Sequence, residues 1–428
     1  MKIAYITAGA AGMFCGSCIH DNTLVTALRA LGHDALLIPT YTPIRTDEAD
    51  VSQQRVFFGG INVYLQQKLS LFRHTPWFFD RLWDAPPLLR WVSRFAVRTQ
   101  ADQLGDLTVS MLKGELGHQQ KEIHKLVDWL ADDHRPEVLT LTNALLSGIV
   151  PALKARIKAP ILCALQGDDI FLEALPEAFK RQCLELIRKN CEQVDGFIAT
   201  CRYYADFMAK YLGIPRARID VIYPGLNLVG HGGETPRPKD RPPTIGYFAR
   251  ICPEKGLHNL VEAFLILRQT PNAPRYRLLI SGWLGENNRA YCERLREKLR
   301  DAQLLDDMEH VECPDHESKV QFLQSLDVFS VPTTYHEPKG LYILEALANG
   351  VPVVQPRHGS FPELIEATGG GILVEPDNPE ALAAALGSLL EDHPRRLELG
   401  RQGKNKVHEH FHAERMARET ADLYRKYL

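Results

Sequence analysis

The side chains most able to do chemistry lie in two stretches of the second half of the chain. Residues 331–356 read VPTTYHEPKGLYILEALANGVPVVQP. An apolar run ending near Val331 reads as a strand. A helix is predicted over about Leu341–Ala348, closed by Asn349-Gly350. The loop between them carries Glu337 and Gly340. Its backbone N–H groups and the start of the following helix suit an anion such as phosphate. Glu345 lies within LEALA, where an ionised carboxylate is rare without partners. Two readings stay open for it: a carboxylate accepting hydrogen bonds from a pair of ligand hydroxyls, or a surface or ion-paired glutamate. Residues 247–256, YFARICPEKG, place Arg250 and Lys255 just beyond a second strand. A planar guanidinium fork and a compact ammonium suit a diphosphate. Two solvated loop charges are the plainer reading, but two phosphate-type features at equivalent strand ends favour the first.

The first half offers weaker signals. Thr7–Asn22, TAGAAGMFCGSCIHDN, joins a strand to a helix through Gly9, Gly12 and Gly16. Such a turn lets backbone approach a ligand closely, with Gly16 the best candidate; a simple tight turn is the bland alternative. His20 and Asp21 stand just inside the helix, within reach of a second substrate. Cys15 and Cys18 form C-x-x-C, but no second Cys/His pair with ligand spacing follows. A structural metal site needs four ligands, so no metal is expected and small residues at a crowded helix start are the favoured reading.

These residues need strands to carry them. Strands are predicted at Ile3–Thr7, Ala35–Pro39, Val56–Tyr64, Val138–Leu141, Ile161–Leu165, Gly196–Thr200 and Asp220–Tyr223, then at Thr244–Phe248, Arg277–Ser281, Glu309–Glu312, Val328–Val331, Pro352–Gln355 and Gly371–Val374. Helical periods lie between them. This alternation predicts an α/β fold of two Rossmann-like, doubly wound parallel sheets, and 428 residues suit two domains. The Gly- and Pro-rich stretch 226–243 reads as a linker. It separates an N-terminal domain, 1–225, from a C-terminal domain, 244–410. The segment 411–428 is an amphipathic helix with Met416, Thr420, Leu423 and Tyr427 on one side. Residues 71–134 read as a helical insertion. Within 71–98, Trp77, Trp83 and Trp91 accompany Arg90, Arg94 and Arg98, which recur every fourth residue. A lid, a membrane-surface helix and an oligomer contact are its three readings.

The second half resembles the retaining glycosyltransferase family 4, whose members have the two-domain GT-B architecture. The resemblance rests on Arg250 and Lys255 in ARICPEKG, on Glu337 and Glu345 in EPKGLYILEALANGVPVV, and on GGGILVEPDNPEALAAAL. It covers about Thr244 to the C-terminus, and the first half is similar more loosely. It implies transfer of a sugar from a nucleoside-diphosphate donor, with retention, to a sugar, lipid-linked or small-molecule hydroxyl. Arg250 and Lys255 would bind the diphosphate, Glu337 the transferred sugar and Glu345 the ribose. Gly16, Lys339, Gly340 and Leu341 would complete the donor site. The two domains would face a cleft, with the last helix returning to the first domain. No cofactor or metal is implied, because cations and helix starts neutralise the leaving phosphate. Two departures stand out. Gln166, in LQGDDIF, replaces a histidine usual near the transferred sugar; it can donate a hydrogen bond but cannot act as acid or base. Asp168 and Asp169 follow it. Lys339 replaces an aromatic residue.

Whole-chain properties narrow the alternatives. A formal charge of −3 gives no basic footprint for nucleic acid. Nine scattered cysteines suit a reducing compartment. No run reaches about 18 apolar residues, and the N-terminus reads as a strand rather than a signal peptide. The chain is therefore expected in the cytoplasm, with peripheral contact to the inner membrane face through 71–98 as one option. A catalytically silent sugar-nucleotide- or lipid-binding protein is the first rival, favoured by Gln166. A Rossmann oxidoreductase is the second, opposed by glycine spacing that does not fit G-x-G-x-x-G.

Overall fold

The computed structural model describes residues 1–9, 15–53, 56–57, 101–233, 241–270 and 274–428. The aromatic and arginine-rich segment 71–98, Gly12 and nearly all of the expected strand Val56–Tyr64 lie outside them. Two compact units divide the chain: Met1–Tyr223 with Met416–Leu428, and Pro224–Arg415.

The first unit runs β1 (Lys2–Thr7), α1 (Gly16–Ala30), β2 (Asp34–Pro39), α2 (Ala101–Leu112), α3 (Gln120–Trp129), β3 (Val138–Leu141), α4 (Val150–Arg156), β4 (Ile161–Leu165), α5 (Asp168–Glu173), α6 (Glu177–Cys191), β5 (Gly196–Ala199), α7 (Arg202–Leu212) and β6 (Ile219–Val221). Its sheet is parallel throughout, in the order β2-β1-β3-β4-β5-β6. The apolar runs explain this. β4 reads ILCAL and is buried along its whole length, as a strand covered on both faces must be. Each buried Leu or Ile contributes about 1.5–3 kcal/mol. Val109, Leu112, Ile123 and Leu126 bring α2 and α3 into the same core.

The second unit runs β7 (Thr244–Phe248), α8 (Leu257–Gln269), β8 (Arg277–Ser281), α9 (Arg289–Asp301), β9 (Met308–His310), α10 (His316–Gln324), β10 (Val328–Phe329), α11 (Leu341–Ala348), β11 (Val353–Pro356), α12 (Phe361–Thr368), β12 (Gly371–Val374), α13 (Pro379–Glu391) and α14 (His393–His410). Its strand order is β12-β11-β10-β7-β8-β9, again all parallel. The polar residues that open the predicted linker are held on this unit. Asn349 bonds His231 at 2.8 Å and Gly232 N–H at 3.0 Å, and Lys404 donates to the Gly232 carbonyl at 2.6 Å.

The last helix, α15 (Ala413–Tyr427), has most of its length in the first unit. Met416, Thr420 and Leu423 are buried as the helical period predicts, joined by Ala417, Ala421 and Tyr424. The Tyr424 hydroxyl meets Thr140 Oγ1 of β3 at 2.7 Å. Tyr427, the last residue of the helix, is half-buried.

Strand order reverses between β1 and β3 in one sheet and between β7 and β10 in the other. Open parallel sheets bind ligands beyond the carboxyl ends of their strands at such a reversal. The relevant loops are those after β1 and β3, and those after β7 and β10.

Candidate functional site

In the second unit three strand-end loops converge on Glu337. After β7 the chain turns through Pro253–Lys255 to Gly256, whose φ is +68°. A Cβ at Gly256 would stand 1.7 Å from the Pro332 carbonyl oxygen, so only glycine lets this loop press on the segment after β10. That approach carries Lys255 beside Glu337, 82 residues further along the chain, where Nζ donates to Oε2 at 2.7 Å. Lys255 also donates to the Tyr335 hydroxyl and lies 4.9 Å from the ring centroids of both Tyr335 and Tyr342. Tyr335 and Tyr342 donate their own hydroxyl protons to Glu337 Oε2 at 2.5 and 3.0 Å. Oε1 faces the backbone N–H groups of Lys339 and Gly340 at 3.3 and 3.4 Å, at the start of α11. The loop after β11 closes the far side. Ser360 N–H donates to the Glu337 carbonyl at 2.8 Å, and a Cβ at Gly359 would stand 2.6 Å from the Glu337 nitrogen.

Electrostatics follows from this packing. Burial pushes the Glu337 carboxyl upward. The Lys255 charge, the bonds from Lys255 and Tyr335, and the Lys339 charge outweigh it and hold the group down at about 2. Burial and the Glu337 charge push both tyrosine hydroxyls well above their usual range. At neutral pH Glu337 is therefore an anion held by two neutral phenols and a lysine.

Arg250 projects from the same β7 loop and is exposed. Among the described residues its guanidinium has no hydrogen-bond or ion-pair partner, although its charge reaches Tyr335. Lys339 is buried and Gly340 caps α11. Leu341, the first residue of α11, is half-buried. Glu345 is also buried, and Lys319 of α10 donates to its Oε1 at 2.6 Å. Of the two open readings, the ion-paired glutamate is the one observed, with Lys319 as its partner.

The first unit gathers its candidates around a different carboxylate. Asp21, on the second turn of α1, is fully buried. Its Oδ1 accepts from the Tyr5 hydroxyl at 2.9 Å and the Gln166 amide at 2.9 Å, and its Oδ2 from Thr142 at 2.5 Å. His20 Nδ1 is 3.3 Å away. Asp21 therefore anchors the ends of β1, β3 and β4 rather than facing outward as an open group. Gln166, 5% exposed, spends its amide protons on Asp21 and on the Thr142 carbonyl at 3.2 Å. Asp168 accepts the backbone N–H groups of Ala144 at 2.5 Å and Gln166 at 2.9 Å. Burial outweighs those bonds and pushes its carboxyl up to about 6. Asp169 is raised too, by burial, while accepting from Tyr204 at 2.5 Å. Gly16 is the exposed first residue of α1.

The sequence reading missed Tyr335, Tyr342 and Lys319, and in the first unit Tyr5, Thr142 and Tyr204. Tyrosines among apolar neighbours read as core, and Lys319 reads as a surface lysine. Only the spacing of Tyr335, two residues before Glu337, hinted at more.

A family profile described as glycosyl transferases group 1 matches residues 234–406, and one described as a glycosyl transferase 4-like domain matches residues 22–225. Together they span most of the chain. The chain belongs to the GT-B glycosyltransferases of the family-4-like type. A glycosyltransferase provisionally assigned to colanic acid biosynthesis in Escherichia coli K12 is 33% identical over 277 residues, 62% of this chain and 64% of the relative. A glycogen synthase of Mycobacterium tuberculosis is 26% identical over 298 residues, 68% of this chain and 69% of the relative. The chain spans only about half to two-thirds of the curated relatives that share 30% identity or more. Among solved structures, sucrose-phosphate synthase from Thermosynechococcus elongatus aligns over 100% of this chain and 99% of its own, with TM-score 0.72 and 20% identity. The Anabaena protein HepE in complex with UDP aligns over 100% of both chains, with TM-score 0.70 and 16% identity. At these identities the structures carry the fold alone. The candidate residues Arg250, Lys255, Glu337, Lys339 and Gly340 lie on loops after β7 and β10 of one unit.

Among the described residues no helix is long and apolar enough to cross a membrane, and no group of three or more His, Cys, Asp or Glu side chains is placed to hold a metal ion.

Proposed function

We propose that the chain transfers a sugar from a nucleoside-diphosphate donor to an acceptor hydroxyl, with retention and without a metal. The observation that carries this reading is the Glu337 cluster, with Lys255 and the start of α11 at the strand-order reversal of the second unit. Arg250, exposed and without an ion-pair partner among the described residues, supplies a fork for the diphosphate. Lys255 and Lys339 add charge that grows in value as the phosphate departs. Gly340 and Leu341 offer backbone at the positive end of α11. Glu337, ionised and rigidly held, accepts hydrogen bonds from hydroxyls of the transferred sugar and fixes its orientation. Glu345, held by Lys319, binds the ribose. Gln166 cannot take a proton, so the departing phosphate receives the acceptor's. Gly16, His20, Asp21 and Asp168 belong to the acceptor-side unit, with Asp21 as the anchor of Gln166. UDP, present in the HepE complex, is the first donor nucleotide to try.

A thermal-shift screen across UDP, GDP, ADP and their sugars tests this. A ligand bound only by the native state adds about 2.7 kcal/mol at a hundredfold excess over Kd. One nucleoside diphosphate is expected to raise Tm clearly. No shift with any of them, at millimolar concentration, would remove the reading.

A further inference from the structure

We propose that Cys15 and Cys18 form a reversible dithiol–disulfide site at the start of α1, with Cys15 as the attacking thiol. Cys15 is the N-cap of α1, with extended backbone at φ −121° and ψ 125°, and Cys18 is the third residue of the helix. The side chain at an N-cap folds back over that third residue, which is how capping oxygens reach its N–H. This protein displays the same reach with sulfur. At α7 the N-cap is Cys201, and its Sγ accepts from the backbone N–H of Tyr204, the third helical residue, at 3.3 Å. At α1 the cap sulfur makes no such capping bond, and the residue beneath it is a second cysteine. Residues at this separation on a helix have Cβ atoms about 5–6 Å apart, and an N-cap outside the helical backbone can close the remaining gap to a disulfide.

The two thiols are unequal in access. Cys15 is half-exposed and Cys18 is 2% exposed. Cys15 sits at the positive end of a 15-residue helix, which stabilises a thiolate. The other cysteines are placed differently. Burial pushes the thiols of Cys163, Cys183, Cys191, Cys252, Cys292 and Cys313 up, so they stay protonated, and Cys201 is spent as a cap.

The partner reagent is a low-molecular-weight disulfide. The Cys15 thiolate attacks one of its sulfurs, forming a mixed disulfide and releasing the first thiol. Cys18 then attacks the Cys15 sulfur, forms the Cys15–Cys18 bond and releases the second thiol. The two protons lost by the cysteines end on the two released thiols, and the reagent is reduced by two electrons. The bond would fix the helix start that Ser17 ties to the Gln166 carbonyl at 3.5 Å.

The test uses the full chain in a series of reduced and oxidised glutathione, quenched with acid, unfolded and alkylated with N-ethylmaleimide. The tryptic peptide 3–29 holds both thiols and no other cysteine. It should lose both alkylation sites together and fall by two hydrogens in mass before other cysteines react, and dithiothreitol should reverse this. Cys18→Ser should accumulate one glutathione on Cys15. Should that variant fail to fold, the wild-type time course must still pass through a glutathione adduct on Cys15. Two thiols that stay alkylatable across the series, or an adduct on Cys18 instead, would overturn the proposal.

Discussion

The two sheets present contrasting carboxylates beyond the carboxyl ends of their strands, Glu337 after β10 and Asp168 after β4. In the second unit Glu337 lies against the Lys255 ammonium and is held down at about 2. In the first unit Asp168 accepts from the backbone N–H groups of Ala144 and Gln166 with the like-charged Asp169 beside it, and burial pushes it up to about 6. Both are buried and both are well bonded. The difference is a hydrogen-bonded cation. One end of the chain therefore concentrates the positive charge that a phosphate requires, and the other holds a polar network suited to orienting hydroxyls.

The contrast breaks first at Glu337. Glu337→Gln keeps the shape but removes the charge, and turnover with any accepted donor should fall at least about a hundredfold. Near-normal turnover would take Glu337 out of the site. Gln166→Ala should instead impair acceptor use, read as a raised acceptor KM, and leave nucleotide affinity unchanged.

Stability against pH should separate the units by sign. The Asp168 carboxyl binds its proton more tightly when folded than at its ordinary 3.8. Its contribution is complete below pH 4 and is lost as pH rises to about 6. The Glu337 carboxyl binds its proton less tightly than at its ordinary 4.5, so its contribution is complete above pH 4.5 and is lost as pH falls towards 2. Each is on the order of 3 kcal/mol. Urea midpoints of Asp168→Asn and Glu337→Gln against wild type should flatten opposite ends of the profile. Parallel profiles would contradict the assignment.

Smaller effects sharpen the picture. Asp21→Asn keeps one acceptor oxygen and sets an amide N–H₂ against either Thr142 or the Tyr5 and Gln166 donors, and should cost about 1–3 kcal/mol of stability in urea without changing nucleotide binding. Tyr335→Phe removes one donor from Glu337. It should cost about 1 kcal/mol and lower turnover only a few-fold, seen as reduced kcat at nearly constant donor KM.

Much of this fold is legible in the sequence. Val138–Leu141, Ile161–Leu165, Thr244–Phe248, Arg277–Ser281 and Gly371–Val374 are strands over the predicted residues. Glu309–Glu312 is observed as Met308–His310, the edge strand of its sheet. Val328–Val331 shortens to Val328–Phe329, since the chain leaves the ladder early to enter the Glu337 loop. The site residues were visible singly but not as bonded sets. Lys255 meets Glu337 across 82 residues through a glycine contact, and Asp21 meets Gln166 across 145. Spacing along a chain does not report such meetings. The charge on Lys255 points to a phosphate ligand, and the fold adds a carboxylate that holds the ammonium in place.

The central claim is that donor phosphates bind in the second unit through Arg250, Lys255 and the start of α11. Isothermal titration of the preferred nucleoside diphosphate into wild type, Arg250→Ala, Lys255→Met and Asp21→Asn tests it most directly. The account predicts at least about a tenfold loss of affinity in Arg250→Ala and Lys255→Met, and wild-type affinity in Asp21→Asn. Unchanged affinity in the first two, or loss confined to Asp21→Asn, would contradict it.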